Sequence, residues 1–102
     1  MSPKLLEYQG ITVKFFSDEH EPIHVHCVYG EYQTKVELHV KDKKVVDIKY
    51  KKVKGYDPIP ENKMKDVKDL IEEYKDEIVT DWINFFVYHT EVKVRKITKK
   101  LK

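Results

Sequence analysis

Residues 23–38, Ile-His-Val-His-Cys-Val-Tyr-Gly-Glu-Tyr-Gln-Thr-Lys-Val-Glu-Leu, decide the fold. Gly30-Glu31 reads as a two-residue hairpin turn, because glycine accepts the positive φ that a type II′ turn needs at its first position. That turn sets Tyr29 opposite Tyr32, Cys27 opposite Thr34, Val25 opposite Val36 and Ile23 opposite Leu38. Side chains alternate with period two along a strand, so all of these share one side of the sheet. The other side then carries His24 across from Glu37 and His26 across from Lys35. A one-residue slip would mix the two sets, so the register is strongly specified.

The same arithmetic extends in both directions. A three-residue loop, Asp42-Lys43-Lys44, would pair Val40 with Val46, Leu38 with Ile48 and Val36 with Tyr50, with His39–Asp47 and Glu37–Lys49 on the polar side. Upstream, Ile11 to Phe16 alternates as a strand, with Phe15 beside Val25, Val13 beside Cys27, Phe16 beside His24 and Lys14 beside His26. The prediction is a four-stranded antiparallel meander with one apolar face. Residues 1–10 read as a lead-in with little information.

Gly55-Tyr56-Asp57-Pro58-Ile59-Pro60 is a turn-rich linker. Beyond it, Met64, Val67, Ile71, Tyr74, Ile78, Trp82 and Phe85 recur at spacings of three and four, widened by Leu70 and Phe86. That periodicity predicts one long helix over 61–89, lying across the apolar face of the meander. Val92 and Val94, alternating with Lys93 and Arg95, suggest a fifth strand near 92–97, followed by a basic, frayed tail over 96–102. The class is α+β, a single domain spanning 1–102 with its core over about 11–90.

The 102 residues include one cysteine, Cys27, which excludes an internal disulfide and fits a reducing compartment. No apolar run approaches a membrane span, and the Met-Ser-Pro start lacks the apolar core of a secretory signal. The expected location is therefore cytoplasmic, with no membrane partner. Net charge is +2, but it is segregated: −3 over residues 1–40, +5 over 41–54, −6 over 55–92 and +6 over 93–102. Lys41–Lys54 together with the basic tail could grip a nucleic-acid backbone. The simpler expectation is that the acidic helix lies beside the basic blocks and neutralises them, since a nearly balanced chain is a poor generic nucleic-acid binder.

Chemistry concentrates in Asp18 to Tyr32, where His20, His24 and His26 fall within seven residues and Asp18, Glu19 and Glu21 flank them. His24 and His26, two apart on a strand, emerge on one face and could present two imidazoles to a divalent metal. His20 or an acidic loop residue would be the third ligand, and Glu37 would orient a ring. The simpler reading is a polar sheet face in which these histidines hydrogen-bond to Glu37 and the acidic loop. His24 with Glu37, or His39 with Asp47, also satisfies the pairing for acid–base work, although cross-strand pairs of this kind are common as surface contacts. Cys27 is expected to point into the core beside Thr34, which argues against a nucleophilic role. No phosphate-cradling glycine loop, paired-cysteine zinc motif or nucleophile elbow is present.

Glu19-His20-Glu21-Pro22-Ile23-His24-Val25-His26, followed by Tyr29-Gly30-Glu31, resembles the signature of a bacterial family known as domain of unknown function 4160. The likeness covers roughly residues 11–86 and includes a later helix bearing a tryptophan, here Trp82. It marks His20, Pro22, His24, His26, Tyr29 and Gly30 as motif positions. Ile23 stands where many members have a second proline, and Cys27 where valine is frequent. The resemblance implies no established activity. It does imply pairing with another small domain encoded alongside, in a regulatory or toxin–antitoxin-like arrangement.

The leading expectation is a binding or regulatory module that works through the polar sheet face, including Glu37, His39, Asp47 and Lys49. The alternative is a metal-dependent hydrolase or nuclease with a His20/His24/His26 site.

Overall fold

The computed structural model describes residues 4–15 and 23–101. Six strands, β1 (Lys4–Tyr8), β2 (Ile11–Phe15), β3 (Ile23–Tyr29), β4 (Tyr32–Lys41), β5 (Lys44–Lys52) and β6 (Arg95–Ile97), form one sheet in the order β5-β4-β3-β2-β1-β6. One helix, α1 (Glu61–Trp82), packs on it, and the fold is α+β. The expected four-stranded antiparallel meander is present as β2 to β5, but it is part of a larger mixed sheet.

The register of the β2–β3 and β3–β4 pairs is the expected one. Phe15 faces Val25, Val13 faces Cys27, and the hairpin pairs run from Tyr29–Tyr32 to Ile23–Leu38. Gly30 supplies the positive φ, +58°. The apolar sides of Val13, Phe15, Val25, Cys27, Val36 and Leu38 are fully buried, and α1 covers them with Val67, Leu70, Ile71, Ile78 and Trp82.

Three local expectations are corrected. Residues 4–8 form a strand and not a lead-in. Their alternation is hidden because Lys4 faces Lys14 while Leu6 faces Val13, so Leu5 is an extra residue in a bulge, and Leu5 and Leu6 are both buried. At the β4–β5 tip the loop has two residues, Asp42-Lys43, both with positive φ, and Val40 faces Val45. Such a left-handed pair matches strand twist, and the bulge at Val46 absorbs the spare residue. The expected pairs His39–Asp47, Leu38–Ile48, Glu37–Lys49 and Val36–Tyr50 are therefore kept.

The helix also ends differently. Its α-helical part stops at Trp82 and continues as a π-helical turn, Ile83–Val87, with the Tyr88 N–H bonded to the Ile83 carbonyl at 3.2 Å. A widened turn rotates consecutive side chains less than an α-helical one does. Phe85 and Phe86 accordingly both meet Phe15, at centroid distances of 5.9 and 5.4 Å, and Phe86 also meets Trp82 at 5.2 Å.

The last strand lies at 95–97, inside the expected span, and runs parallel to β1. Arg95 Nη1 donates to Asp81 Oδ2 at 2.6 Å, tying it to the end of α1. The Leu101 N–H donates to the Tyr8 hydroxyl at 3.1 Å, so the segment after Lys96 is anchored as far as Leu101. The linker is held as well: the Gln33 N–H donates to the Asp57 carbonyl and the Ile59 N–H to Thr34 Oγ1.

Phe15→Ala should therefore lower stability in urea unfolding by about 3–5 kcal/mol, the range for emptying a buried aromatic site. Val46→Ala, at a position 61% exposed, should stay within about 0.5 kcal/mol.

Candidate functional site

The side of the sheet turned away from α1 carries the ionisable residues. His24 lies across from Glu37 and Glu37 across from Lys49, with His39 facing Asp47 one row further on. Lys14 faces His26 and His26 faces Lys35. These juxtapositions follow from strand parity, because every one of these residues neighbours a core residue along its strand.

Exposure on this face is not what a water-facing surface implies. Lys49 and Asp47 are exposed and His24 is half-buried, but His26 is 2% exposed and Glu37 7%. The expectation that this histidine pair points into water is corrected for His26. It sits on β3, an inner strand, and the lysines directly across on both sides have stems long enough to cover a ring. Burial pushes the His26 imidazole below its ordinary pKa of 6.5. A hydrogen bond with Gln33 works in the opposite direction, while the charges of His24, Lys35 and Lys14 lower it further. The ring is thereby kept neutral at neutral pH.

Glu37 is the electrostatic hub. Its carboxylate lies 3.2 Å from Lys51 Nζ, 3.3 Å from His39 Nε2 and 3.6 Å from Lys35 Nζ. Burial alone would raise its pKa, but the hydrogen bonds from Lys51 and His39, with the lysine charges, hold it below the usual carboxylate value. His39 therefore turns along its own strand to Glu37. Asp47 instead accepts the Ile48 N–H at 2.9 Å. The carboxylate beside His39 is therefore Glu37 and not Asp47, and it is shared with Lys35 and Lys51. The Cys27 thiol is fully buried opposite Thr34 and is pushed up to about 12, so it is unsuited to nucleophilic chemistry, as the register implied.

A metal site is not favoured by the described part of the cluster. The His24 and His26 ring centroids lie 6.3 Å apart. Two imidazoles sharing a tetrahedral zinc at the usual ~2.0–2.1 Å bond length have centroids about 5 Å apart. The rings would have to close by roughly 1 Å, with Lys14 and Lys35 beside them. Among the described residues no group of three His, Cys, Asp or Glu side chains could hold a metal ion. Asp18, Glu19, His20, Glu21 and Pro22, the rest of the candidate set, lie outside the described residues.

The expected face of Glu37, His39, Asp47 and Lys49 leaves out Lys35 and Lys51, which hold Glu37. The signal was available, because pairing Val36 with Tyr50 already sets Lys35 opposite Lys51. The acidic helix meets the second basic block through Asp81 and Arg95, as expected, but other pairs of its acids are internal. Asp66, Asp69 and Glu72 pair with Lys63, Lys65 and Lys75 of α1 itself.

Glu37→Gln should cost about 1–3 kcal/mol at neutral pH, since it removes the counter-charge from a set of cations. Because the folded pKa of Glu37 is depressed, its contribution is complete above about 4.5 and disappears as pH falls through the folded value. Parent and variant unfolding midpoints, measured from pH 7 down to pH 3, should converge at the acid end.

Among the described residues no helix is long and apolar enough to cross a membrane. No curated protein and no solved structure matches the chain. A family model described as Domain of unknown function (DUF4160) matches residues 10–83. The match runs from the β1–β2 turn through the whole meander and helix α1, and the chain belongs to that family.

Proposed function

We propose that this chain is a binding module whose working surface is the polar face of its sheet, and whose partner is an anionic macromolecule. The observation that carries this reading is the composition of that face. Lys35, Lys49 and Lys51 flank the buried carboxylate of Glu37, Lys14 stands across from His26 on the same face, and α1 lies on the opposite side. Among the described residues of this face the lysines outnumber the acids, Glu7, Glu37 and Asp47. A regulatory role by pairing with a second protein, of the toxin–antitoxin-like kind that the family resemblance implies, is one form of such binding. The metal-dependent hydrolase reading, with His20, His24 and His26, is the alternative, and lysines beside His26 make it the less favoured of the two.

Elution of the purified protein from immobilised heparin tests the reading. Lys35→Gln/Lys49→Gln should elute at clearly lower salt than the parent, and Lys65→Gln/Lys68→Gln, on α1, should be affected less. The reverse order would move the working surface to the helix. Stoichiometric zinc, manganese or nickel in the purified protein, lost in His24→Ala/His26→Ala, would replace the binding reading with the metal-dependent one.

A further inference from the structure

The strand registers align one feature across the whole polar face. Lys4 faces Lys14, Lys14 faces His26, His26 faces Lys35 and Lys35 faces Lys51. Four lysines, with the buried and neutral His26 between Lys14 and Lys35, thus form one row across five neighbouring strands. At about 4.8 Å per strand the row is roughly 19 Å long. Like charges directly opposite each other destabilise a sheet. Glu37 offsets Lys35 and Lys51 at one end of the row. A row shaped by stability alone would alternate in sign along its whole length.

We propose that this row is a docking track for the phosphate backbone of double-stranded nucleic acid, bound without base readout. The proposal rests on reading the polar sheet face as the working surface, and it names the partner. Two observations favour a duplex over the other anionic macromolecules. First, the aromatic residues of β2 to β5 that are described, Phe15, Tyr29, Tyr32 and Tyr50, all pack on the helix side of the sheet. Among the described residues the polar face therefore offers neither the aromatic anchors that centre a protein interface nor a stacking platform for unpaired bases. A polar, lysine-rich face supplies the contacts that a duplex backbone takes.

Second, the small net charge does not cancel the row. The acids of α1 sit in the other layer, about 10 Å away. Asp66, Asp69 and Glu72 are in any case engaged by lysines of their own helix.

The test is a titration of the ¹⁵N-labelled full chain, followed by NMR. The titrants are a short DNA duplex of arbitrary sequence, the matching single strand and a poly-glutamate peptide, each over a range of salt. The duplex should shift the signals of Lys14, His26, Lys35 and Lys51, with little dependence on sequence. Its log K against log salt slope should be about −3 to −4, as for four lysines each neutralising a phosphate. Lys14→Gln should lower affinity severalfold and reduce the magnitude of the slope by about 1, with an unfolding midpoint no lower than the parent's. Lys75→Gln, on α1, should change neither quantity. If Lys14→Gln leaves duplex affinity intact, or if poly-glutamate shifts this face and the duplex does not, the nucleic-acid assignment is overturned while the binding face stands. If none of the three polyanions moves a signal on this face, both readings fall together.

Discussion

The whole molecule depends on one constraint, the register of the β3–β4 hairpin about Gly30. With that turn in place, period-two alternation sends Val25, Cys27, Val36 and Leu38 to one side and His24, His26, Lys35 and Glu37 to the other. The apolar side has to be covered, and α1 covers it. The polar side cannot be covered by the same helix, so it is free to become a surface with its own electrostatics. The separation of core from working face is thus a result of backbone geometry, and it precedes any particular chemistry.

That polar side is held under tension. Lysines stand opposite one another or opposite a histidine that burial keeps neutral, and Glu37 supplies the local counter-charge at three short contacts. Buried ion pairs contribute little net stability when desolvation is counted. Their value lies in fixing where the charges stand. Lys35 and Lys51 are drawn inward, towards one carboxylate, and that orders the middle of the face. The arrangement accounts for a histidine and a glutamate being nearly inaccessible on a sheet side with no helix over it.

Legibility in the sequence followed the same physics. Pairs set by alternation and a tight turn could be read residue by residue, from Phe15–Val25 to Val36–Tyr50, because one wrong step would bury charge. Bulges interrupt that logic. Leu5 beside Leu6, and Val46 beside Val45, break the alternation, so β1 was missed and the β4–β5 tip was placed one residue out. The π-helical turn was hidden for a similar reason: a run with Phe85 and Phe86 keeps an acceptable helical pattern, and the demand of Phe15 for both rings is a tertiary matter. Burial of His26 is illegible in alternation, which gives the face of a side chain and not how far its neighbours on an inner strand enclose it. The parallel pairing of Arg95–Ile97 with β1 involves partners far apart in the chain, which local pattern cannot assign.

The closing strand has an effect of its own. By running alongside β1, and by fastening Leu101 to Tyr8 and Arg95 to Asp81, the final residues occupy a backbone edge that would otherwise offer its amides to any passing strand. The opposite border, β5, is protected by different means: lysines along its length, a bulge at Val46, and the Asp47 side chain taking up the Ile48 amide. Cutting the chain after the helix would leave the first border bare while the second stayed guarded. Two shortened copies could then pair through their β1 strands, so β6 covers an edge that would otherwise be open to a second copy.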